Sequence, residues 1–137
     1  MRGEKGSVSW GLLWLRFLMG MGIASHGYQK IFGGQMAAFV ENITQLGFPV
    51  PNVFAWFAAL SEFGGGLLIV FGLGTRLAAL LVFLTMSMAV FRYHRFDAFP
   101  IKETALAYWT MAGTLIFLGA GTFSLDRLLR RKKKESD

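Results

Sequence analysis

An apolar segment of roughly 20 residues, from Trp10 to Phe32, most constrains the fold of this chain. At about 1.5 Å of rise per residue, a helix of this length matches a bilayer core of about 30 Å. The segment nevertheless contains Arg16, His26 and Lys30. Because a charge at the bilayer centre costs about 2.5–3.5 kcal/mol, these side chains should face other helices rather than lipid. The segment therefore predicts a membrane-spanning helix that packs against companion helices.

Two glycines lie on the same side of this helix as its charges. At about 100° per residue, Gly20 and Gly27 fall on one stripe with Arg16 and Lys30, and His26 lies to one side of it. Small residues allow helices to approach closely in a membrane. The stripe is compatible with packing inside one chain and with a homo-oligomer, and both interpretations stay open.

Composition supports a membrane class and restricts the redox chemistry. Hydrophobic residues make up 54% of the 137 residues, and 14 are Phe, which is high for a soluble domain. The length indicates one domain. The sequence has no Cys, which excludes disulfides, Cys-ligated zinc and iron–sulfur clusters. Any redox role would therefore need a bound small molecule or a partner protein.

Three further segments predict helices that cross the membrane, about 52–72, 77–92 and 103–118. Between the first two spans, Gln35 to Leu46 has apolar residues at helical spacing, but it is too short and too polar to cross. Gly33 precedes this stretch, and two prolines between 47 and 51 end it. The predicted fold is all-α: a four-helix transmembrane bundle with a short amphipathic interfacial helix between spans 1 and 2.

The distribution of Lys and Arg predicts the orientation. Nine of these residues lie in the terminal segments and the 72–76 turn, and four lie in the other two connections. By the positive-inside tendency, both termini are predicted to be cytoplasmic. Residues 1–9 would form a cytoplasmic lead, 10–126 the membrane domain and 127–137 a basic cytoplasmic tail. This tail is typical of attachment to a membrane surface, and no nucleic-acid partner is expected.

Five elements, taken in order, resemble the DoxX family of small four-span membrane proteins. They are Arg16 with Gly20; His26-Gly27-x-x-Lys30; Glu62-x-Gly-Gly-Gly with Gly72-x-x-Thr75-Arg76; Glu103 ahead of Ala105 and Tyr108; and Gly119-x-Gly121-x-x-Ser124-Leu125-Asp126. The resemblance covers about residues 10–127. It implies a four-helix bundle in a bacterial or archaeal cytoplasmic membrane, in a family loosely linked to quinone-dependent oxidation.

Arg16 and Glu62 are candidates for a buried pair. If the first two spans pack antiparallel, we expect their depths to differ by roughly 6 Å, which an arginine side chain can bridge. One interpretation is a structural ion pair that sets the helix register. The other is a role in handling a proton or a substrate, because ionisable groups inside a membrane are functional candidates.

His26, Lys30 and Glu103 are candidates near the outer membrane interface. Lys30 can extend to the lipid headgroups while His26 is simply hydrogen-bonded, or both can contact a quinone ring. Glu103 begins the fourth span, where a carboxylate can cap the helix or take part in catalysis. No metal or haem is expected, because the sequence has only two His and one of them, His94, lies close to Arg92 and Arg95.

These observations lead to one main hypothesis, one alternative and a third possibility, a transporter, for which four spans form too small a pathway unless the protein oligomerises. The main hypothesis is a quinone-like molecule bound in a polar pocket open toward the outer leaflet, within a redox complex. Cofactor-binding candidates are Arg16, His26, Lys30, Glu62 and Glu103, with His26 and Glu62 as the catalytic candidates. The alternative is a non-enzymatic membrane scaffold or partner-binding subunit whose buried charges are structural. The sequence does not decide between an enzyme and a scaffold.

Overall fold

The computed structural model describes residues 2–136, and it contains helices and turns but no strand within that range. The α-helices are α1 (Arg2–Ile31), α2 (Met36–Gln45), α3 (Pro51–Phe71), α4 (Thr75–Met88), α5 (Phe99–Leu118) and α6 (Leu125–Ser136). A π-helical turn, Ala89–Tyr93, continues α4. The long helices α1, α3, α4 and α5 form a bundle, which confirms the predicted all-helical membrane fold.

Three of the long helices are by themselves long and apolar enough to cross a membrane. They are α1 from Lys5, α3, and α4 together with its π turn. Helix α5 has 20 residues and packs along α4, but Lys102 and Glu103 near its start make it less apolar. The short helix predicted between the first two spans is confirmed as α2, which packs against α3 and α1.

The bundle buries polar side chains and exposes large apolar ones. Arg16 and Glu62 are each only 2% exposed, whereas Trp14 and Phe117 lie on the outside of the bundle. A soluble protein would show the opposite distribution, because unpaired apolar surface is costly in water. Arg16 of the first span therefore faces inward as predicted and Lys30 is partly buried, whereas His26 is exposed.

Helices α1 and α3 run antiparallel with their backbones in contact. A Cβ atom placed on Gly20 would lie 2.7 Å from the carbonyl oxygen of Gly66, and one on Gly27 would lie 2.7 Å from that of Ala59. Only glycine allows so close an approach. The glycine stripe of α1 is therefore used inside the chain, against α3.

The terminal segments are more helical than their composition suggests. Residues 2–9, expected as a separate polar lead, continue α1 without a break, and residues 125–136 form α6. Met1 of the predicted lead and Asp137 of the predicted tail lie outside the described residues. The ends of α2 are set by Gly34 and Gly47, which have φ angles of 76° and 75°.

Candidate functional site

A cavity of about 720 Å³ lies at the end of the bundle away from α6. It is partly open and is lined by the C-terminal half of α1, by α2, by the N-terminal halves of α3 and α5, and by the end of α4 with its π turn. Most of its wall is apolar, with side chains such as Ile23, Phe54 and Leu84. A few polar side chains converge on it, which is the usual composition of a small-molecule site.

The strongest polar feature of the cavity is an ion pair between Lys30 and Glu62. Lys30 Nζ lies 2.8 Å from Glu62 Oε1 and 2.6 Å from Oε2. The side chains of Lys30 and Glu62 are 18% and 3% exposed. Lys30 Nζ also lies 4.2 Å from the centroid of the Phe39 ring on α2, a cation–π contact. The pair thus connects α1, α3 and α2 at the wall of the cavity.

The predicted pairing of Arg16 with Glu62 is wrong. Gly20 faces Gly66 and Val70, so that Arg16, one turn earlier in α1, lies opposite Gly72 rather than Glu62. Glu62 is ten residues from Gly72 along α3, which separates the two charges by about 15 Å along the helix axis. The prediction estimated the depths of Arg16 and Glu62 from the ends of the two spans. The register between α1 and α3 is instead set by the glycines through which the two helices touch, so the estimate was wrong.

Arg16 is held by backbone carbonyl groups. Its Nε donates to the oxygen of Ile69 at 3.0 Å, and Nη2 donates to that of Val70 at 3.2 Å. Nη1 donates to the oxygens of Phe123, at 2.8 Å, and Ala120. Ile69 and Val70 lie in the last turn of α3, where the carbonyl groups lack the regular i+4 helical donors and the helix dipole favours a cation. The Ile69 oxygen also accepts from the N–H of Gly72 at 3.2 Å. Arg16 therefore joins α1 to the end of α3 and to the segment after α5, outside the cavity.

His26 lines the cavity beside Tyr108. The two rings meet edge to face with centroids 5.8 Å apart. The Tyr108 hydroxyl occupies space that a Cβ on Gly22 would overlap, so glycine at this position makes room for it. Within residues 2–136 neither ring nitrogen of His26 has a hydrogen-bond partner, which leaves both of them available to a molecule in the cavity.

Glu103 lies apart from the other candidates. It is exposed, whereas Thr104, Ala105 and Tyr108 of the same helix line the cavity. At about 100° per residue, this cavity-lining face of α5 turns position 103 away from the cavity. The structure thus brings together His26, Lys30 and Glu62 and places Arg16 and Glu103 elsewhere.

The structure adds a histidine that is not among the binding and catalytic residues predicted from the sequence. His94 follows the π turn and lines the cavity. Its Nδ1 lies 2.7 Å from Asp97 Oδ2. The signal in the sequence was the spacing of three between His94 and Asp97. A spacing of three does not by itself place a histidine at a cavity. The position of His94 depends on the π turn before it, and this turn has no clear sequence pattern.

Comparison with known proteins identifies the family. The sequence pattern of the DoxX family matches residues 11–95. The inner membrane protein YqjF of Escherichia coli K12 is 33% identical over 127 residues, which cover 89% of this chain and 94% of YqjF. This chain belongs to the DoxX family. The inner membrane protein YphA of the same organism is 33% identical over 110 residues, or 74% of this chain and 77% of YphA. No solved structure matches.

In this DoxX-family protein the match to the family pattern covers both ends of the bundle. Residues 11–95 include Arg16, the Lys30–Glu62 pair and His94. The apolar helices and the similarity to inner membrane proteins show that the chain is an integral membrane protein of this family. Among the side chains that the structure describes, which leave out those of residues 2 and 4, there is no group of three or more His, Cys, Asp or Glu that could hold a metal ion.

The end opposite the cavity, here called the Arg16 cluster, contains Arg16, Gly72, Ala120, Phe123 and Asp126. The Asp126 carboxylate accepts hydrogen bonds from the backbone N–H groups of Gly74, at 2.8 Å, and Thr75, at 3.3 Å. It thereby caps the start of α4. The N–H of Asp126 donates to the carbonyl oxygen of Gly72 at 3.0 Å. The Arg16 cluster is thus a network of backbone contacts.

Proposed function

We propose that this DoxX-family protein binds a quinone-like hydrophobic molecule in the cavity, inside the membrane. The observation that supports this most strongly is the cavity itself, about 720 Å³ of mainly apolar space beside the buried Lys30–Glu62 pair. Sites for small molecules have volumes of about 300–1,000 Å³ and few, well-placed polar groups. A ring with two polar oxygens and an apolar tail fits this combination of surfaces.

The residues of the cavity have unused hydrogen-bonding capacity. Lys30 Nζ has three N–H donors, and the two oxygens of Glu62 engage two of them. The remaining donor and the ring nitrogens of His26 are available to polar oxygens of the ligand. In this proposal His26 exchanges a proton with the ligand, Lys30 stabilises developing negative charge, and Glu62 holds Lys30 in place and takes part in proton transfer.

We extend the proposal to the setting in which the site works. The relatives are inner membrane proteins, and the helix α6 carries a run of basic residues from Arg127 to Lys134. We propose a multi-pass location in a bacterial cytoplasmic membrane with both termini on the cytoplasmic side. The cavity would then open toward the outer leaflet. With no Cys in the chain, electrons would come from a partner protein in a redox complex.

The test of ligand binding replaces His26 by Ala. We expect the His26→Ala protein to keep its melting temperature in detergent within a few degrees and to lose affinity for decylubiquinone about tenfold, measured by calorimetry. Ser25→Ala is the matched control, because Ser25 is the adjacent residue, is exposed and does not line the cavity. If His26→Ala binds as tightly as Ser25→Ala, this role of His26 is excluded.

The alternative, a scaffold or partner-binding subunit, has support from one region. Arg16 has backbone partners only, so its burial is explained by structure alone. Under this alternative the Lys30–Glu62 pair would also be structural, and no quinone-like molecule would raise the melting temperature of the wild-type protein. Under the proposal, saturating decylubiquinone raises it, because a ligand that binds only the folded state stabilises that state.

A further inference from the structure

His94 and Asp97 form a hydrogen-bonded pair at the edge of the cavity. The distance between His94 Nδ1 and Asp97 Oδ2 is 2.7 Å. The side chains of His94 and Asp97 are 22% and 41% exposed, so the pair extends from the cavity wall toward the loop that precedes α5. None of the residues selected from the sequence belongs to this pair.

The backbone around His94 holds the imidazole in place. The N–H of His94 donates to the carbonyl oxygen of Ala89 at 2.9 Å, the five-residue step that defines the π turn. The N–H of Asp97 donates to the carbonyl oxygen of His94 at 3.2 Å. The Tyr93 ring packs edge to face on the imidazole, with centroids 4.7 Å apart. Short π-helical turns inside α-helices are frequent at functional sites.

The hydrogen bond to Asp97 selects a tautomer of His94. A carboxylate can only accept a hydrogen bond, so the proton lies on Nδ1, and in the neutral imidazole Nε2 is then an acceptor. Within residues 2–136 Nε2 has no hydrogen-bond partner. The other ionisable groups that line the cavity are His26, Lys30, Glu62, Tyr93 and Tyr108.

We propose that His94 Nε2 accepts a hydrogen bond from a phenolic hydroxyl of the cavity ligand, and that the site therefore prefers a quinol to the corresponding quinone. This inference rests on the proposed function and names the form of the ligand. A quinone oxygen has no proton to donate, so its lone pair would face the lone pair of Nε2 and the two acceptors would repel each other. A quinol hydroxyl donates to Nε2 directly, and Asp97 acts as a positioning residue through Nδ1.

The first experiment observes His94 alone. The chain has only two His, so His26→Phe leaves His94 as the single source of imidazole signals in protein labelled with ¹⁵N-histidine. We expect a protonated Nδ1 and an unprotonated Nε2 in this variant, which assigns the His94 signals. Decylubiquinol is then added to the wild-type protein, where we expect the assigned Nε2 resonance to shift. A proton on Nε2, in the neutral imidazole or in the imidazolium, would overturn the proposal, as would an Nε2 resonance of the wild-type protein that saturating ligand leaves unchanged.

The second experiment measures preference. Dissociation constants of decylubiquinol and decylubiquinone are measured anaerobically on the full-length protein, on His94→Phe and on Arg95→Gln. We expect the wild type to favour the quinol about fivefold, which corresponds to one net hydrogen bond. His94→Phe should lose the preference by weakening quinol binding only. Arg95→Gln, an exposed control on the same loop, should keep it. Asp97→Ala should lower the preference without removing Nε2, and it provides a second variant if His94→Phe does not fold.

The outcomes separate this inference from the proposed function. If the wild type binds both molecules and His94→Phe keeps the same ratio of affinities, the cavity is a ligand site but the role of His94 is wrong. If the wild type binds neither molecule, the proposed function fails and this inference fails with it.

Discussion

The two ends of the bundle bury a cation of α1 in opposite ways. In the Arg16 cluster, neutral carbonyl oxygens from two segments of the chain surround the guanidinium. At the cavity, a single carboxylate pairs with Lys30, and an aromatic ring packs on the ammonium group. The first arrangement uses nearly all the donors of the cation, whereas the second leaves donor capacity beside an open space. The comparison supports a structural role for the Arg16 cluster and is consistent with the proposed ligand binding at the cavity.

The difference follows from the chemistry of the two side chains. Arginine presents five N–H donors in a planar fork, which suits several acceptors at fixed positions. Lysine is a compact charge with three donors, and burial of that charge is tolerated only with a charged partner close by. A site that must exchange a ligand needs polar groups that remain accessible. Only the Lys30 end satisfies this condition.

The largest expected effect comes from Arg16→Ala. This change removes the guanidinium from four carbonyl oxygens, of which that of Ile69 keeps the N–H of Gly72, so we expect the free energy of unfolding to fall by about 3–5 kcal/mol. Arg16→Lys should recover little of this loss, because a point charge cannot reach all four oxygens. Thermal unfolding in detergent measures the stability of both variants. Arg76→Ala is the control, since Arg76 makes a single exposed hydrogen bond to Phe117. A loss as small as that of the control would contradict the structural role.

An intermediate effect is expected from breaking the Lys30–Glu62 pair. Glu62→Ala leaves a partly buried ammonium group unpaired, and we expect a loss of about 2–3 kcal/mol in stability. Adding Lys30→Met should recover part of it. In the double variant Glu62→Ala with Arg16→Ala, in contrast, the two losses of stability should add within about 0.5 kcal/mol, because the two sites are far apart and share no contact. A double-mutant cycle measures both couplings, and strong coupling of Arg16 to Glu62 would contradict the register described above.

The smallest effect on stability is expected from Gly22→Ala. The added methyl group would overlap the Tyr108 hydroxyl, and the tyrosine ring can move into the cavity to relieve this overlap. We expect stability to change by less than about 1 kcal/mol while the affinity for decylubiquinol falls, because the displaced ring reduces the cavity. Gly11→Ala is the control in the same helix, since a Cβ there would meet nothing within 4 Å. If Gly22→Ala binds decylubiquinol as tightly as the wild type, the position of the Tyr108 ring does not affect ligand binding and this prediction is wrong.

Much of the fold and part of the candidate site could be predicted from the sequence. The long apolar segments, the short amphipathic helix and the inward position of Arg16 and Glu62 follow from hydropathy and helical period. The structure places His26, Lys30 and Glu62 at one cavity, and their roles in binding stay predictions. Arg16 and Glu103 were misplaced, because the contacts between helices decide which charges meet and which part of a helix faces a cavity. His94 was undervalued, because its position depends on a π turn.

What the sequence determined by itself is the membrane class, the number of long helices and the need to bury several charges, since each depends on composition and period along one segment. The tertiary structure alone decided the partners of those charges. The reason is the close contact of Gly20 and Gly27 with α3, which sets one register between two helices. That register places Lys30 beside Glu62 and Arg16 beside the last turn of α3. A polar group in a membrane takes whichever partner the packing of the helices brings within reach.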